Sequence, residues 1–330
     1  MDSTFLNKFK FYQTLKEKSG LVQEIAQRYG YFINEYPVKM TKTSYGKENP
    51  DKTFYVIGGI LDETAGLFAF VQAIFWHCLY AEEKGYIPVV DMKNFNNQYS
   101  EDKPDNAWEF FFEQPAGYNL EMIKHSKNII LSKPKTKPNY KFPAMVNPSK
   151  IDKRIDRFQS SFRKYIKLNT ISQDLADNTY KQLINNNDKI LGILCRGTDY
   201  QYLRPRFHAI QPSAQEVIAK AKLVIKEHGC TKIFLATEDA DILKQFKGEF
   251  GGIIVYNQQR LYQIEELKGA DFLSSLKDES KRQVALQYLS SIYILSKCDC
   301  FIAGQTAGSL GAYLMADRYE YSYLWNIGKY

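Results

Sequence analysis

The sequence lacks several things, and each absence removes a class of protein. No apolar run approaches the ~18 residues that a membrane-spanning helix needs, so a chain that crosses a bilayer is not expected. The opening "MDSTFLNKFKFYQTLKEK" is polar and charged where a secretory leader would be apolar. Histidines are few and scattered, at His77, His125, His208 and His228, so they form no metal-ligand pattern. Cysteines number five, an odd count, and four of them sit in or beside apolar runs. That usage fits buried thiols in a reducing, cytoplasmic setting rather than a disulfide framework. Cys298 and Cys300 alternate along a strand and face opposite ways, so zinc is not expected. No long Lys/Arg run and no basic-aromatic single-strand motif is present, which argues against nucleic acid as a partner.

What charge there is leans mildly basic. The 330 residues carry 44 Lys and Arg against 37 Asp and Glu, a net +7. Such an excess suits a phosphate-bearing ligand or an anionic membrane surface. The densest basic stretch, residues 149–169, has apolar residues at helical spacing. It reads as a solvated helix face ahead of a membrane-docking one, and peripheral contact with the inner face of the cytoplasmic membrane stays open. Aromatic residues reach 15%, with 24 Tyr and 21 Phe, a usage that fits flat polar ligands such as sugars or mere genomic bias.

Along the chain, strands and helices alternate. "TFYVIGG" (53–59), "YIPVVD" (86–91) and "KNIILS" (127–132) read as strands around a buried helix at 65–85. Proline-punctuated residues 133–143 read as a loop, and helical material fills 149–186. The alternation then restarts, with strands at 189–195, 231–237, 251–257 and 299–304 and helices at 212–229, from about 240, at 282–298 and at 307–317. This pattern predicts an α/β protein with parallel sheets in two Rossmann-like domains facing a cleft. The expected division is an N-terminal α/β domain over 1–150, a helical linker over 151–186, and a C-terminal Rossmann-like domain over 187–315. A tail over 316–330 is expected to pack back on the first domain.

Ligands of open α/β sheets bind beyond the carboxyl ends of the strands, so those ends hold the candidate residues. They are Gly58, Gly59 and Glu63 with Gly66; Arg196, Asp199 and Tyr200 with Arg204 and Arg206; Thr237, Glu238 and Asp239; and Gln305, Thr306, Ala307, Gly308 and Ser309. The last stretch is a small-residue turn opening a helix, whose amides suit a phosphate. Arg196 adds a planar fork for phosphate oxygens. Each residue also has a plain structural reading. Arg196 would form a salt bridge with Glu238 or Asp239, Asp199 would cap a turn, and Glu63 would be a solvated loop carboxylate.

Three stretches, "GILCRGTDY", "IFLATEDADIL" and "LSKCDCFIAGQTAGSLGAYLM", resemble in order and separation the three peptide motifs of the fucosyltransferase superfamily. That group holds the α1,6-fucosyltransferases, the rhizobial nodulation enzymes and the protein O-fucosyltransferases. Upstream, residues 63–91 and "NAWEFFFEQP" are similar to its first half, and the likeness covers roughly 53–315. It implies a GT-B-like fold and an inverting, metal-independent transfer from GDP-fucose, with no cofactor beyond that donor. The acceptor implied is a glycan, free or lipid-linked, of surface-polysaccharide type. Arg196 falls on the arginine that binds the β-phosphate, Asp199 on the carboxylate of the same motif, Glu238 and Asp239 on its acidic pair, and Thr306 to Ser309 on the turn at the diphosphate. Gly58, Gly59 and Gly66 fall in the loop that approaches the donor, and Tyr200 and Arg206 stand nearby. The chain departs from the pattern at Leu194 and Ser291, where the α1,6 enzymes carry base-reading His and Asp. It departs again at Arg204, where they carry a glutamate linked to base catalysis. Metal-binding Asp-x-Asp at a strand end is not expected. Displacement at an anomeric carbon needs a neutralised leaving group and a base for the acceptor hydroxyl. Arg196 with the 304–309 turn serves the first need, and Glu63 or Asp199 the second. Two other readings stand beside this one: an enzyme of the same fold acting on another nucleotide sugar, transferase or epimerase, and a non-catalytic nucleotide-sugar or glycan binder.

Overall fold

The computed structural model describes residues 40–101, 103–132, 154–197, 204, 208–263 and 280–330. Two sheets organise them. The first has the order β1-β4-β2-β3, from β1 (Thr41–Thr43), β2 (Glu48–Gly58), β3 (Ile87–Asp91) and β4 (Ser126–Leu131). β2 pairs parallel with both β3 and β4, and β1 is an antiparallel edge. The second is parallel throughout, in the order β7-β6-β5-β8-β9, from β5 (Ile190–Leu194), β6 (Lys232–Ala236), β7 (Ile254–Val255), β8 (Cys300–Gly304) and β9 (Tyr321–Trp325). All five residues of β5 and of β8 are buried, as expected of strands covered on both faces by helices.

Eight α-helices lie among the described residues: α1 (Leu67–Lys84), α2 (Leu120–Ile123), α3 (Arg154–Tyr165), α4 (Thr170–Leu183), α5 (Ala214–His228), α6 (Ala240–Phe250), α7 (Lys281–Ser296) and α8 (Ala307–Met315). Their ends are written in the sequence. Gly85 and Gly229 both close helices at φ 67°, a conformation that only glycine enters without strain. Ser213 and Glu216 cap the start of α5 reciprocally.

The basic stretch does form a helix, α3, and its apolar side is taken up inside the protein. Phe162 is fully buried with its ring 5.0 Å from Phe75 of α1, and Gln159 donates to the Tyr313 carbonyl at 2.9 Å on α8. The two sheets share one apolar core. Phe68 of α1 lies against Tyr288 of α7, rings 5.7 Å apart and perpendicular, and it fills the space that a side chain at Gly311 would need. Gln72 of α1 donates to the Ala307 carbonyl at 3.2 Å. A second tie is polar. The buried Arg282 at the start of α7 grips Asp105 with both terminal nitrogens, at 2.7 and 3.0 Å, donates through Nε to the Tyr99 carbonyl, and lies 5.1 Å from the Phe110 ring.

In the tail, residues 321–325 add β9 beside β8. "YSYLW" is a short aromatic strand whose last two residues, Leu324 and Trp325, are buried.

Candidate functional site at the carboxyl ends of the strands

In the second sheet, β5 leads outward to β6 and β7 on one side, while β8 and β9 lie on the other. The order therefore reverses between β5 and β8, and in doubly wound sheets the crevice beyond two such strand ends receives the ligand. Arg196 follows β5, and Gln305 to Ser309 follow β8.

Arg196 is held. Its Nε donates to Glu238 Oε1 at 3.0 Å, with the two side chains only 14% and 9% exposed. The same oxygen accepts the Gly197 amide at 3.1 Å. Glu238 thus fixes both the guanidinium and the backbone next to it, and a near-buried pair of this kind is costly to leave half-made. Beside them the Cys195 thiol is pushed well up by burial, with Glu238 and Asp239 adding to the effect, so it is no nucleophile.

Asp239 serves the helix that follows: one carboxylate oxygen accepts the Asp241 and Ile242 amides at 2.9 and 3.0 Å, capping α6. Its other oxygen lies where a side chain at Gly197 would stand. Asp239-Ala240-Asp241 does spell an Asp-x-Asp past β6, which corrects the expectation that no such triplet stands at a strand end. Its first carboxylate is this cap, and among the described residues no group of three His, Cys, Asp or Glu is placed to hold a metal. Thr237 is 5% exposed, its hydroxyl accepting the Asp239 amide and its carbonyl accepting Gln259.

The turn after β8 is stiff for the same reason. Thr306 Oγ1 accepts the Ser309 amide at 3.0 Å, Ser309 Oγ accepts the Thr306 amide at 2.8 Å, and both residues are buried. Their hydroxyls are therefore committed to the cap. The two amides between them, of Ala307 and Gly308, have no acceptor among the described residues, and they sit at the positive end of α8. Gly308 is needed because the Tyr288 hydroxyl occupies the place of a Cβ.

Next to this turn lie two buried polar atoms without a partner. Gln305 Nε2 is an unmatched donor and Gln211 Oε1 an unmatched acceptor, in residues 8% and 6% exposed. Gln211 cannot turn round, since its Nε2 donates to the Ala209 and Gln305 carbonyls at 3.0 and 3.1 Å. Each unmatched buried group costs about 1–3 kcal/mol, a cost that a bound ligand can remove.

On the first sheet the candidates behave differently. Glu63 is exposed in the loop between β2 and α1. Gln98 holds that loop from behind: its amide donates to the Glu63 carbonyl at 2.9 Å and its side chain to the Thr64 and Ala65 carbonyls. Gly58 and Gly59 are covered by the Phe95 ring, which a Cβ on either would strike at 2.3 or 2.7 Å, and only about 10 Å3 of cavity remains beside them. Their small size thus makes room for an aromatic ring of the chain itself. Gly66 precedes α1 with open space around it and an ordinary φ of −67°. A more open cavity of about 670 Å3, lined by residues such as Glu109, Gln114 and Lys167, touches no strand end.

The structure brings Arg196 to Glu238, gathers Gln305 to Ser309 on one turn, and keeps Glu63 on the other sheet. Asp199, Tyr200 and Arg206 lie outside the described residues. Arg204 is exposed, with φ in the left-handed region at 43°. Leu194 is 1% exposed within β5, and Ser291 Oγ is bonded to Asn257 and to the Gln287 carbonyl, so both departures from the motif pattern are occupied by internal packing. Sequence reading missed Gln211, Gln98, Phe95 and Arg282. For Phe95 and Gln98 the run "NFNNQY" held a signal, amides interleaved with aromatics at a strand end; for Gln211 and Arg282 none is visible.

No protein-family model matches the chain, and no curated protein sequence matches it. Among solved structures it is similar to NodZ α-1,6-fucosyltransferase soaked with GDP-fucose, at TM-score 0.49 and 18% identity over 80% of this chain and 93% of that one. NodZ from Bradyrhizobium gives 0.48 and 16%, over 80% and 94%. POFUT1 in complex with GDP gives 0.49 and 10%, over 84% and 99%. The functional reading below rests on the residues themselves.

Proposed function

We propose that the protein is an inverting glycosyltransferase that holds a nucleoside diphosphate sugar between the ends of β5 and β8 and passes the sugar to a glycan acceptor. One observation carries this reading: an oriented arginine and a rigidly capped helix start flank the point where the strand order reverses. Both are suited to a diphosphate. Arg196, fixed by Glu238, and the Ala307 and Gly308 amides would neutralise the charge that grows on the leaving group, without help from a metal. Gln305 and Gln211 offer a neutral donor and a neutral acceptor to the hydroxyl-bearing part of the donor. Glu63, exposed on the opposite sheet, would take the proton of the acceptor hydroxyl. Guanine and fucose enter this reading through the three motif stretches, which supports GDP-fucose as donor. The second sheet with its helices would then be the donor half over 187–315, and the first sheet the acceptor half. A cytoplasmic site of action, working on surface-polysaccharide precursors, completes the reading.

Asn257 donates to Ser291 at the position where the α1,6 enzymes carry a base-reading carboxylate, which favours testing other bases beside guanine. Melting curves with GDP, UDP and CMP, each with and without chelator, make that test. A ligand at one hundred times its Kd stabilises by about 2.7 kcal/mol. GDP should raise the melting temperature, undiminished by chelator. Stabilisation by UDP or CMP alone would reassign the base, a strict divalent requirement would overturn the metal-free mechanism, and no nucleotide effect would overturn the function.

A further inference from the structure

The geometry points to Phe95 as the platform on which the acceptor saccharide lies, with the ring face stacking against the C–H face of a neutral pyranose. The idea rests on the proposed sugar transfer only in placing that pyranose beside Glu63.

Four features lead there. Phe95 is 39% exposed, one of the few large apolar side chains that the described surface presents. Its ring lies across Gly58 and Gly59, one edge over each: a Cβ on Gly58 would meet Cε2 at 2.3 Å, and one on Gly59 would meet Cδ1 at 2.7 Å. The inner side of the ring is therefore supported by bare backbone while the residue remains open outward. Its own backbone is fixed. Asp91 accepts the Lys93 and Asn94 amides at 3.0 and 2.9 Å, and the Asn97 side chain donates to the Phe95 and Met92 carbonyls, each at 2.9 Å. Three residues on, Gln98 ties this turn to the loop of Glu63 through three hydrogen bonds. An exposed ring and an exposed carboxylate thus stand on one braced double loop.

That combination selects a class of ligand. An aromatic face is electron-rich and attracts polarised C–H groups, and its contact area needs no induced ordering when the ring is already held. Sugar sites typically join such an apolar surface to a few polar groups; here Asn94 and Asn96 are exposed on either side. A lipid or an apolar protein partner would need a broader apolar patch than one ring among amides.

The test uses the whole protein and methyl glycosides of glucose, galactose, mannose and N-acetylglucosamine, followed by saturation-transfer NMR, with a GDP melting shift recorded on the same samples. Wild type should pass saturation to the ring C–H protons of at least one glycoside. Phe95→Ala should lower that signal at least fivefold and Phe95→Trp should keep it, while the GDP shift and the unliganded melting temperature stay as in wild type. Equal signals in Phe95→Ala and wild type, or no signal from any glycoside in wild type, would overturn the assignment. A missing GDP shift alongside an intact Phe95-dependent sugar signal would instead overturn the donor reading and leave the platform standing.

Discussion

The two sheets end differently. At the carboxyl edge of the second, the polar side chains are buried or half-buried, and Arg196 is bonded to Glu238, Asp239 to α6 and Thr306 to Ser309, with Gln305 Nε2 and Gln211 Oε1 left unmatched beside them. At the edge of the first, Glu63, Asn94, Phe95 and Asn96 face solvent, and the bracing comes from Asp91, Asn97 and Gln98 behind them. A site that stabilises developing charge works best when its dipoles are fixed before reaction, because no reorganisation is then needed. A site that meets a second substrate must be reachable. Under the proposed function, that contrast would place leaving-group stabilisation on the second sheet and proton abstraction on the first.

The sharpest way to break that division is Glu63→Gln. It should cut transfer by roughly 10²–10⁴-fold, while GDP affinity and melting temperature stay unchanged because the side chain is exposed. Steady-state kinetics beside GDP titration would show it, and full activity would move the base elsewhere. Next comes the tie between the halves. Arg282→Ala removes a buried guanidinium and should cost about 3 kcal/mol of folding stability, read by chemical denaturation. The fork also holds the Asp105 carboxyl below the ordinary carboxylate range. A depressed folded pKa gives stability that is present above the unfolded value of about 3.9 and is lost as pH falls through the folded one. Wild type should therefore lose this increment in acid, and Arg282→Ala should show a correspondingly flatter acid limb.

Arg196→Lys keeps the charge and loses the planar fork that Glu238 orients. Transfer should fall about 10²–10³-fold, as on loss of an oriented donor, with the fold retained. The smallest effect is also the most diagnostic of the second edge. Gln305→Leu removes an unmatched buried donor, so the unliganded protein should gain about 1 kcal/mol while GDP binds less tightly. A loss of stability would mean that Gln305 is a structural residue.

Much of this was legible beforehand. Strands and helices over the two halves follow from period and punctuation, and Gly85, Gly229 and Ser213 mark helix ends as their chemistry requires. The strand ends that carry the candidate residues were also identifiable, because sheet topology says where an open α/β sheet would take a ligand. What escaped was how the polar groups divide their bonds. Arg196 takes its structural reading, the salt bridge with Glu238, and in the proposed function the same bridge would orient it. Gly58 and Gly59 looked like room for a donor, yet the ring that fills it comes from 36 or 37 positions later in the chain, a contact no local pattern encodes. β1 and β9 were missed because three residues hold no period and an edge strand carries only half of one. Gln211 is adjacent to Gln305 only because α5 begins beside the end of β8.

The proposed transfer requires a nucleoside diphosphate held between the ends of β5 and β8. Amide hydrogen exchange with and without GDP is the direct test, because the Ala307 and Gly308 amides have no acceptor among the described residues. GDP should slow exchange in peptides covering 195–197 and 304–310 more than anywhere else among the described residues. Unchanged exchange in both peptides under saturating GDP, or slowing confined to residues 57–66, would contradict the claim.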